Sequence, residues 1–304
     1  MTEKHMALVL GGGGAAGNAW MIGVIAGLAD AGIDMTEAAD LVIGTSSGAT
    51  AAAHLRSGRT PAMLLSGILS EVTQPVGQRP QGSPPMPMDA VFERMRAIGA
   101  AATSAADLCR AMGAFGLECN SMLDGSAAQR RRALVASRLP NLEWPEKPMV
   151  LVAVNAHTGE PALFDRHSGV ELVDAVTAST ALPGGPTHTI HGVHYINGGV
   201  RSTDNADLAS SYANVVVLTP FSERSGPLPP GQFEGLRRSP EWGNDLASQV
   251  ESLRSQGSHV VVISPDAESR VAMGTNQMDL ATRAPSAQAG FVQGKREATQ
   301  LTFR

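Results

Sequence analysis

The 304-residue chain is poor in aromatic residues, which make up 4% of it, and it holds two cysteines. With so few rings, Ala, Val, Leu and Met must fill the core. Two cysteines, Cys109 and Cys119, exclude a disulfide framework and suit a reducing compartment, so a cytoplasmic location is expected. A formal net charge of -5 gives no reason to expect a nucleic-acid partner. Outside residues 6–28 no uncharged apolar stretch reaches the roughly 18 residues of a membrane span. Residues 6–28 are broken by glycines and read as strand, loop and buried helix. The first ten residues lack the basic-then-apolar layout of a secretion signal. No Cys, Asp or Glu cluster accompanies the histidines, so no metal and no cofactor is expected.

What is present is an alternation of apolar runs and helical stretches. Residues 6–10 read as a buried strand, 11–14 as a glycine loop and 15–31 as a helix ended by Gly32. A second strand at 41–43 leads into a helix at 47–57. Residues 75–87 form a Pro/Gly-rich loop, and 89–139 look helical with breaks near Thr103 and Asn120. Further strands are expected at 149–154, 215–218 and 260–263, a hairpin arm at 191–196, and helices at 170–181, 241–255 and 286–301. The all-valine-rich runs suit central parallel strands covered on both faces. The pattern is α/β: a mainly parallel central sheet between helical layers. No repeat and no domain boundary is evident, so residues 1–304 read as a single domain. Residues 74–140 form a lid or helical excursion from it.

Two glycine-rich motifs bear on chemistry. Gly44-Thr45-Ser46-Ser47-Gly48 is G-x-S-x-G between a strand and an Ala-rich helix. A serine on such a turn projects its hydroxyl, and the helix behind it aims its positive end where negative charge develops in acyl transfer. The plainer alternative is a glycine-rich turn before a helix. Gly12-Gly13-Gly14-Ala15-Ala16-Gly17 contains G-x-G-x-x-G, a dinucleotide fingerprint, with Asp30, Asp34 and Asp40 at about the distance of a ribose-binding acid. Four consecutive glycines equally suit several backbone N–H groups pointing at one anion.

Together with Tyr195-Ile196-Asn197-Gly198-Gly199-Val200, and more weakly Ala178-Ser179-Thr180-Ala181-Leu182-Pro183-Gly184, these motifs make the chain resemble the patatin-like phospholipases over roughly residues 6–220. The resemblance implies a three-layer α/β/α domain and a serine acyl hydrolase acting on lipid or other acyl esters, with peripheral membrane contact. It implies a Ser–Asp dyad without histidine. Ser46 would be the nucleophile, and the amides of Gly12, Gly13, Gly14 and Ala15 the oxyanion hole. Gly17, Gly44, Gly48, Gly198 and Gly199 are the accompanying motif glycines. Where the family often has Arg or Lys, this chain has Ala16.

The departure is at residue 197, where the family's general base is an aspartate and this chain has Asn197. An amide can hold Ser46 by a hydrogen bond but cannot take its proton. Four explanations stand: an introduced substitution, natural divergence to a weak or inactive member, another residue as base, or deamidation at Asn197-Gly198. The stretch 185–191 also lacks the family's Phe-Pro-Pro, which favours divergence. Substitute bases would come from His188, His191 or His194, read as exposed hairpin histidines, or from Asp204 and Asp207, read as facing water or capping a helix. His259 opens a strand and reads as structural. Met63, Met86, Met88 and Met95 surround the Pro-rich loop, as core filling or as an adaptable cover for acyl chains. Arg130-Arg131-Arg132 reads as a solvated helix face, with lipid headgroups as the alternative. Beside a hydrolase slowed by Asn197 stand a catalytically silent acyl-ligand binder and an acyltransferase. Oligomeric state is not legible.

Overall fold

A computed structural model describes residues 5–71, 86–221 and 240–301. The expected loop at 75–87 lies largely outside them. Eight described strands are β1 Met6–Leu10, β2 Leu41–Thr45, β3 Met149–Asn155, β4 Pro161–Phe164, β5 His188–Ile190, β6 Val193–Asn197, β7 Asn214–Leu218 and β8 His259–Ile263. The helices are α1 Gly14–Asp30, α2 Met35–Ala38, α3 Ser47–Leu55, α4 Pro61–Leu69, α5 Met88–Ala101, α6 Ala105–Ser121, α7 Ala127–Ala136, α8 Leu172–Ser179, α9 Leu246–Ser255, α10 Ala267–Met273 and α11 Arg283–Glu297. One sheet runs β5-β6-β3-β2-β1-β7-β8, with β4 also paired to β3. Its five strands β3-β2-β1-β7-β8 are mutually parallel, and β4, β5 and β6 join antiparallel. The expected layered α/β architecture is therefore observed.

Alternation along β1 divides the two faces. Leu8 and Leu10 point into a core shared with α1, α3, α4, α8 and α11. Ala7 and Val9 point the other way, onto Val250 and Leu253 of α9 and the short turn of helix at Ala206–Ala209. Both faces being covered explains why the central strands carry no polar alternation. In α1 residues 16–28 are buried on every side; Trp20 donates its indole N–H to Gln293 of α11 at 3.1 Å. A third cluster lies where α5 and α6 cover the ends of β3 and β6: Val91, Met95, Leu108, Met112, Phe115 and Cys119 pack on Val154, Ile196 and Val200.

The helical breaks expected near Thr103 and Asn120 fall at 102–104 and 122–126. Five short elements escaped the sequence: α2, capped by Asp34; β4, opened by a proline at a strand end; α4, with Thr60 capping and Pro61 at its first turn; β5, the first arm of the hairpin; and α10, capped by Asp266. The arginine run needs correcting. Arg130 pairs with Asp124 near solvent, whereas Arg131 and Arg132 turn inward onto α8. Cys109 and Cys119 are buried, and Cys109 Sγ donates to Val200 O at 3.7 Å. Met95 is core and Met63 is exposed, and Met86 packs partly buried on the third cluster. Among the described residues no helix is long and apolar enough to cross a membrane.

Candidate active site

The site assembles at the carboxyl ends of β1 and β2, where the chain leaves the sheet for α1 and α3. Ser46 follows β2 with φ 57° and ψ -120°, and α3 begins at the next residue. A non-glycine residue there stores about 1–3 kcal/mol of strain and persists only when its neighbours hold it. Several do. Ser46 N–H donates to Ser179 Oγ at 3.0 Å. Ser47 C=O accepts from Asn18 Nδ2 at 3.2 Å. Thr45 Oγ1 accepts from Asn205 Nδ2 at 3.0 Å. A Cβ on Gly48 would stand 1.9 Å from Leu10 O, so only glycine lets α3 approach β1 this closely.

Asn197 reaches the same point from β6. Register explains it: Thr45 pairs with Val152 and Asn197 with Ala153, consecutive residues of β3, so the ends of β2 and β6 stand at one level. Asn197 is 1% exposed. Its backbone N–H donates to Ala181 O at 2.7 Å. Its Nδ2 donates to Ser46 Oγ at 2.9 Å, and its Oδ1 accepts from Gly199 N–H at 2.8 Å. The Gly199 amide is only a donor, so it requires the oxygen on its side and leaves the NH2 facing Ser46. At Gly198 a Cβ would meet Val152 O at 2.2 Å, which keeps this turn against β3.

The glycine loop supplies the third side. Gly11 N–H donates to Leu218 O at 2.9 Å and Gly12 N–H to Thr203 O at 2.8 Å. The expected availability of the Gly12 amide is therefore corrected: that N–H is engaged, and Gly12 instead borders the Ser46 side chain. Gly17 N–H bonds Gly13 O and Ala16 N–H bonds Gln277 O. Between them the amides of Gly14 and Ala15, half-buried in the first turn of α1, have no hydrogen-bond partner among the described residues. They sit at the positive end of a 17-residue helix. Apolar groups border the loop: Phe221 beside Gly12, and Met278, 48% exposed, beside Gly14. Gly44 packs on Ala49.

The acids and histidines separate. Asp204 does not face water: it is 1% exposed, its Oδ2 accepts from Thr203 Oγ1 at 2.7 Å, and its Oδ1 is buried beside Gly11. Burial pushes its carboxyl pKa up. Asp207 pairs with Arg201. His188 is buried, not exposed, and shares Asp174 Oδ1 at 2.8 Å; burial lowers its pKa against that carboxylate. His191 occupies the exposed hairpin turn at φ 49°, and His194 contacts Thr187 Oγ1. Asp30 pairs with Lys295, Asp34 caps α2, and Asp40 accepts the amides of His5 and Met6, so all three serve local structure.

A mainly parallel sheet whose second strand is followed by a serine at positive φ, beside a glycine loop opening the first helix, defines the class: a layered α/β protein with a tight strand-to-helix turn at Ser46. Within it, the chain belongs to the patatin-like phospholipase family, whose model matches residues 8–210. VipD from Legionella pneumophila is similar in structure, at 13% identity and TM-score 0.44 over 98% of this chain and 67% of that one. The type III effector protein ExoU is similar at 15% identity and TM-score 0.34, over 96% of this chain and 54% of that one. No curated protein matches the sequence.

Proposed function

We propose that this chain is a serine acyl hydrolase of lipid esters, with Ser46 as nucleophile and a rate held down by Asn197. The observation that carries the reading is the 2.9 Å contact between Ser46 Oγ and the side chain at 197, at an elbow held in strained geometry. Ser46 Oγ attacks the ester carbonyl carbon. The carbonyl oxygen, as it gains charge, turns to the amides of Gly14 and Ala15, with Gly13 beside them. The bond to the leaving oxygen breaks, that oxygen takes up by way of solvent the proton lost by Ser46 and departs as the alcohol, and water then adds to the acyl-enzyme, releasing the acid and returning a proton to Ser46 Oγ. The step that suffers is removal of the serine proton, because Nδ2 of Asn197 donates where a carboxylate would accept. Phe221 and Met278 give the acyl chain an apolar border. The described part of the excursion, α5–α7, acts as a wall of a single domain rather than as an opening lid, since Met95, Met112 and Phe115 are core residues. Peripheral contact with a membrane brings the lipid to the site from the cytoplasm.

One observation favours a second reading, a silent acyl-ligand binder: the donor-to-Oγ orientation of Asn197. Labelling with an alkyl fluorophosphonate, read by intact mass, tests the proposal. One adduct on Ser46, abolished in Ser46→Ala and formed faster in Asn197→Asp, is expected. An adduct elsewhere, or none in Asn197→Asp, overturns it and leaves the binder.

A further inference from the structure

The two acceptors that hold the backbone N–H groups of Ser46 and Asn197 come from one short stretch. Ser179 Oγ accepts Ser46 N–H at 3.0 Å, and Ala181 O accepts Asn197 N–H at 2.7 Å. Between them lies Thr180, the residue that ends α8. Its carbonyl accepts from Arg131 Nη2 at 2.5 Å, and its hydroxyl from the same nitrogen at 3.0 Å. Arg131 belongs to α7, within the excursion. The next residue, Arg132, meets Asp174 and Glu171 at the opposite end of α8. Consecutive arginines of α7 thus grip both ends of α8, and one of them grips the stretch that holds the site.

The Arg131 contact differs in kind from its neighbour's. Arg132 pairs with two carboxylates, whereas Arg131 faces a carbonyl and a hydroxyl, and its Nε is buried without a hydrogen-bond partner among the described residues. Burial and the charge of Arg138 push its guanidinium down to about 10, so it stays charged at neutral pH. A cation held in this way, with no paired acid among the described residues, points its charge at the carboxyl end of α8, the negative end of its dipole.

We propose that Arg131 is a positioning residue for the Ser46–197 pair, acting through Thr180 to hold the Ser179 hydroxyl and the Ala181 carbonyl in place. As a role in catalysis this rests on the hydrolase reading; as a statement about placement it does not. Amide exchange in the chain with Asn197 tests the placement. In Arg131→Met, protection of the Ser46 and Asn197 amides falls about tenfold or more, while that of residues 215–218 in β7 is unchanged. Arg131→Lys, which keeps the charge and loses one of the two contacts, gives a smaller fall. Unchanged protection at both amides overturns the proposal. So does an equal fall across β7, which would make Arg131 a general stabiliser and nothing more. In Asn197→Asp enzyme, Arg131→Met lowers kcat about tenfold or more with KM nearly constant. If Asn197→Asp hydrolyses no ester, the hydrolase reading fails while the exchange result still decides the role of Arg131.

Discussion

Replacing Asn197 by aspartate changes one atom in a contact already made. The side-chain atom facing Ser46 lies 2.9 Å from Oγ, inside the roughly 2.6–3.2 Å reach of a general base. The partner at the other side, Gly199 N–H, donates to either residue, so the carboxylate enters without moving the turn. General-base assistance contributes about 10²–10⁴ in rate, which is about 2.7–5.4 kcal/mol off the barrier at about 1.36 kcal/mol per decade. Hydrolysis of p-nitrophenyl esters by Asn197→Asp is therefore expected to exceed that of the unaltered chain by at least about 100-fold. Burial raises the new carboxyl's pKa, and the two hydrogen bonds it accepts lower it. The gain grows as pH rises through that pKa and then levels off. An ionised group at a position 1% exposed also costs about 1–3 kcal/mol of stability, visible as a lower urea midpoint. Ser46→Ala in either background removes the gain. The reasoning is refuted if Asn197→Asp folds, by circular dichroism, yet gains less than about tenfold. It is refuted equally if the unaltered chain already matches Asn197→Asp, since another base would then be at work.

Gly48→Ala places a Cβ 1.9 Å from Leu10 O and is expected to lose more than about 3 kcal/mol in urea unfolding. Gly67→Ala, mid-helix in α4 with nothing within 4 Å, is expected to gain about 0.5–1 kcal/mol in the same assay. His188 titrates below its usual 6.5 because burial disfavours the imidazolium, against the pull of Asp174. The unfolded chain thus takes up the proton first, so stability is full above about 6.5 and falls as pH drops below it. His188→Gln flattens that part of a Tm series from pH 7.5 to 5, and an unchanged slope refutes the assignment. Asn197 is held at both side-chain atoms, so intact mass is expected to show no gain of about one dalton on storage, which removes deamidation as a source of an acid at that position.

The central strands β1, β2, β3, β7 and β8 were legible because each carries an unbroken apolar run, and β1 falls on the residues expected. β2 runs two residues further than its apolar core, since Gly44 and Thr45 still pair with Leu151 and Val152. The helix expected from 241 starts instead at Leu246, after the Asp245 cap, with only a turn at Pro240–Trp242. Of the site, the residues on motifs were legible and their supports were not. Ser179 and Ala181 stood in a noticed block, but their bonds to Ser46 and Asn197 span 133 and 16 positions and leave no periodic trace. Asn205 adopts a left-handed conformation, φ 54°, that Asn favours. That preference is a signal, but its bond to Thr45 is not. Asp204 shows the limit most plainly: a charged residue after a turn reads as exposed, yet it is buried beside Gly11 and Thr203.

That the geometry survives with an amide at 197 has a physical basis in how the turn is built. Oδ1 is held by Gly199 N–H, the backbone N–H by Ala181 O, and Gly198 by its close seat on β3. None of these contacts distinguishes an amide from a carboxylate. The strained φ of Ser46 is likewise maintained by Ser179, Gly48 and the start of α3, not by residue 197. Folding therefore places no demand for charge at 197, and an amide there even avoids the cost of burying an anion. The demand for an acid comes from proton removal alone. With an amide at 197 the chain keeps the turn at Ser46, the Gly14 and Ala15 amides that have no hydrogen-bond partner among the described residues, and the serine in register, so under the proposed reading an acid introduced at 197 by a single substitution is expected to act at once.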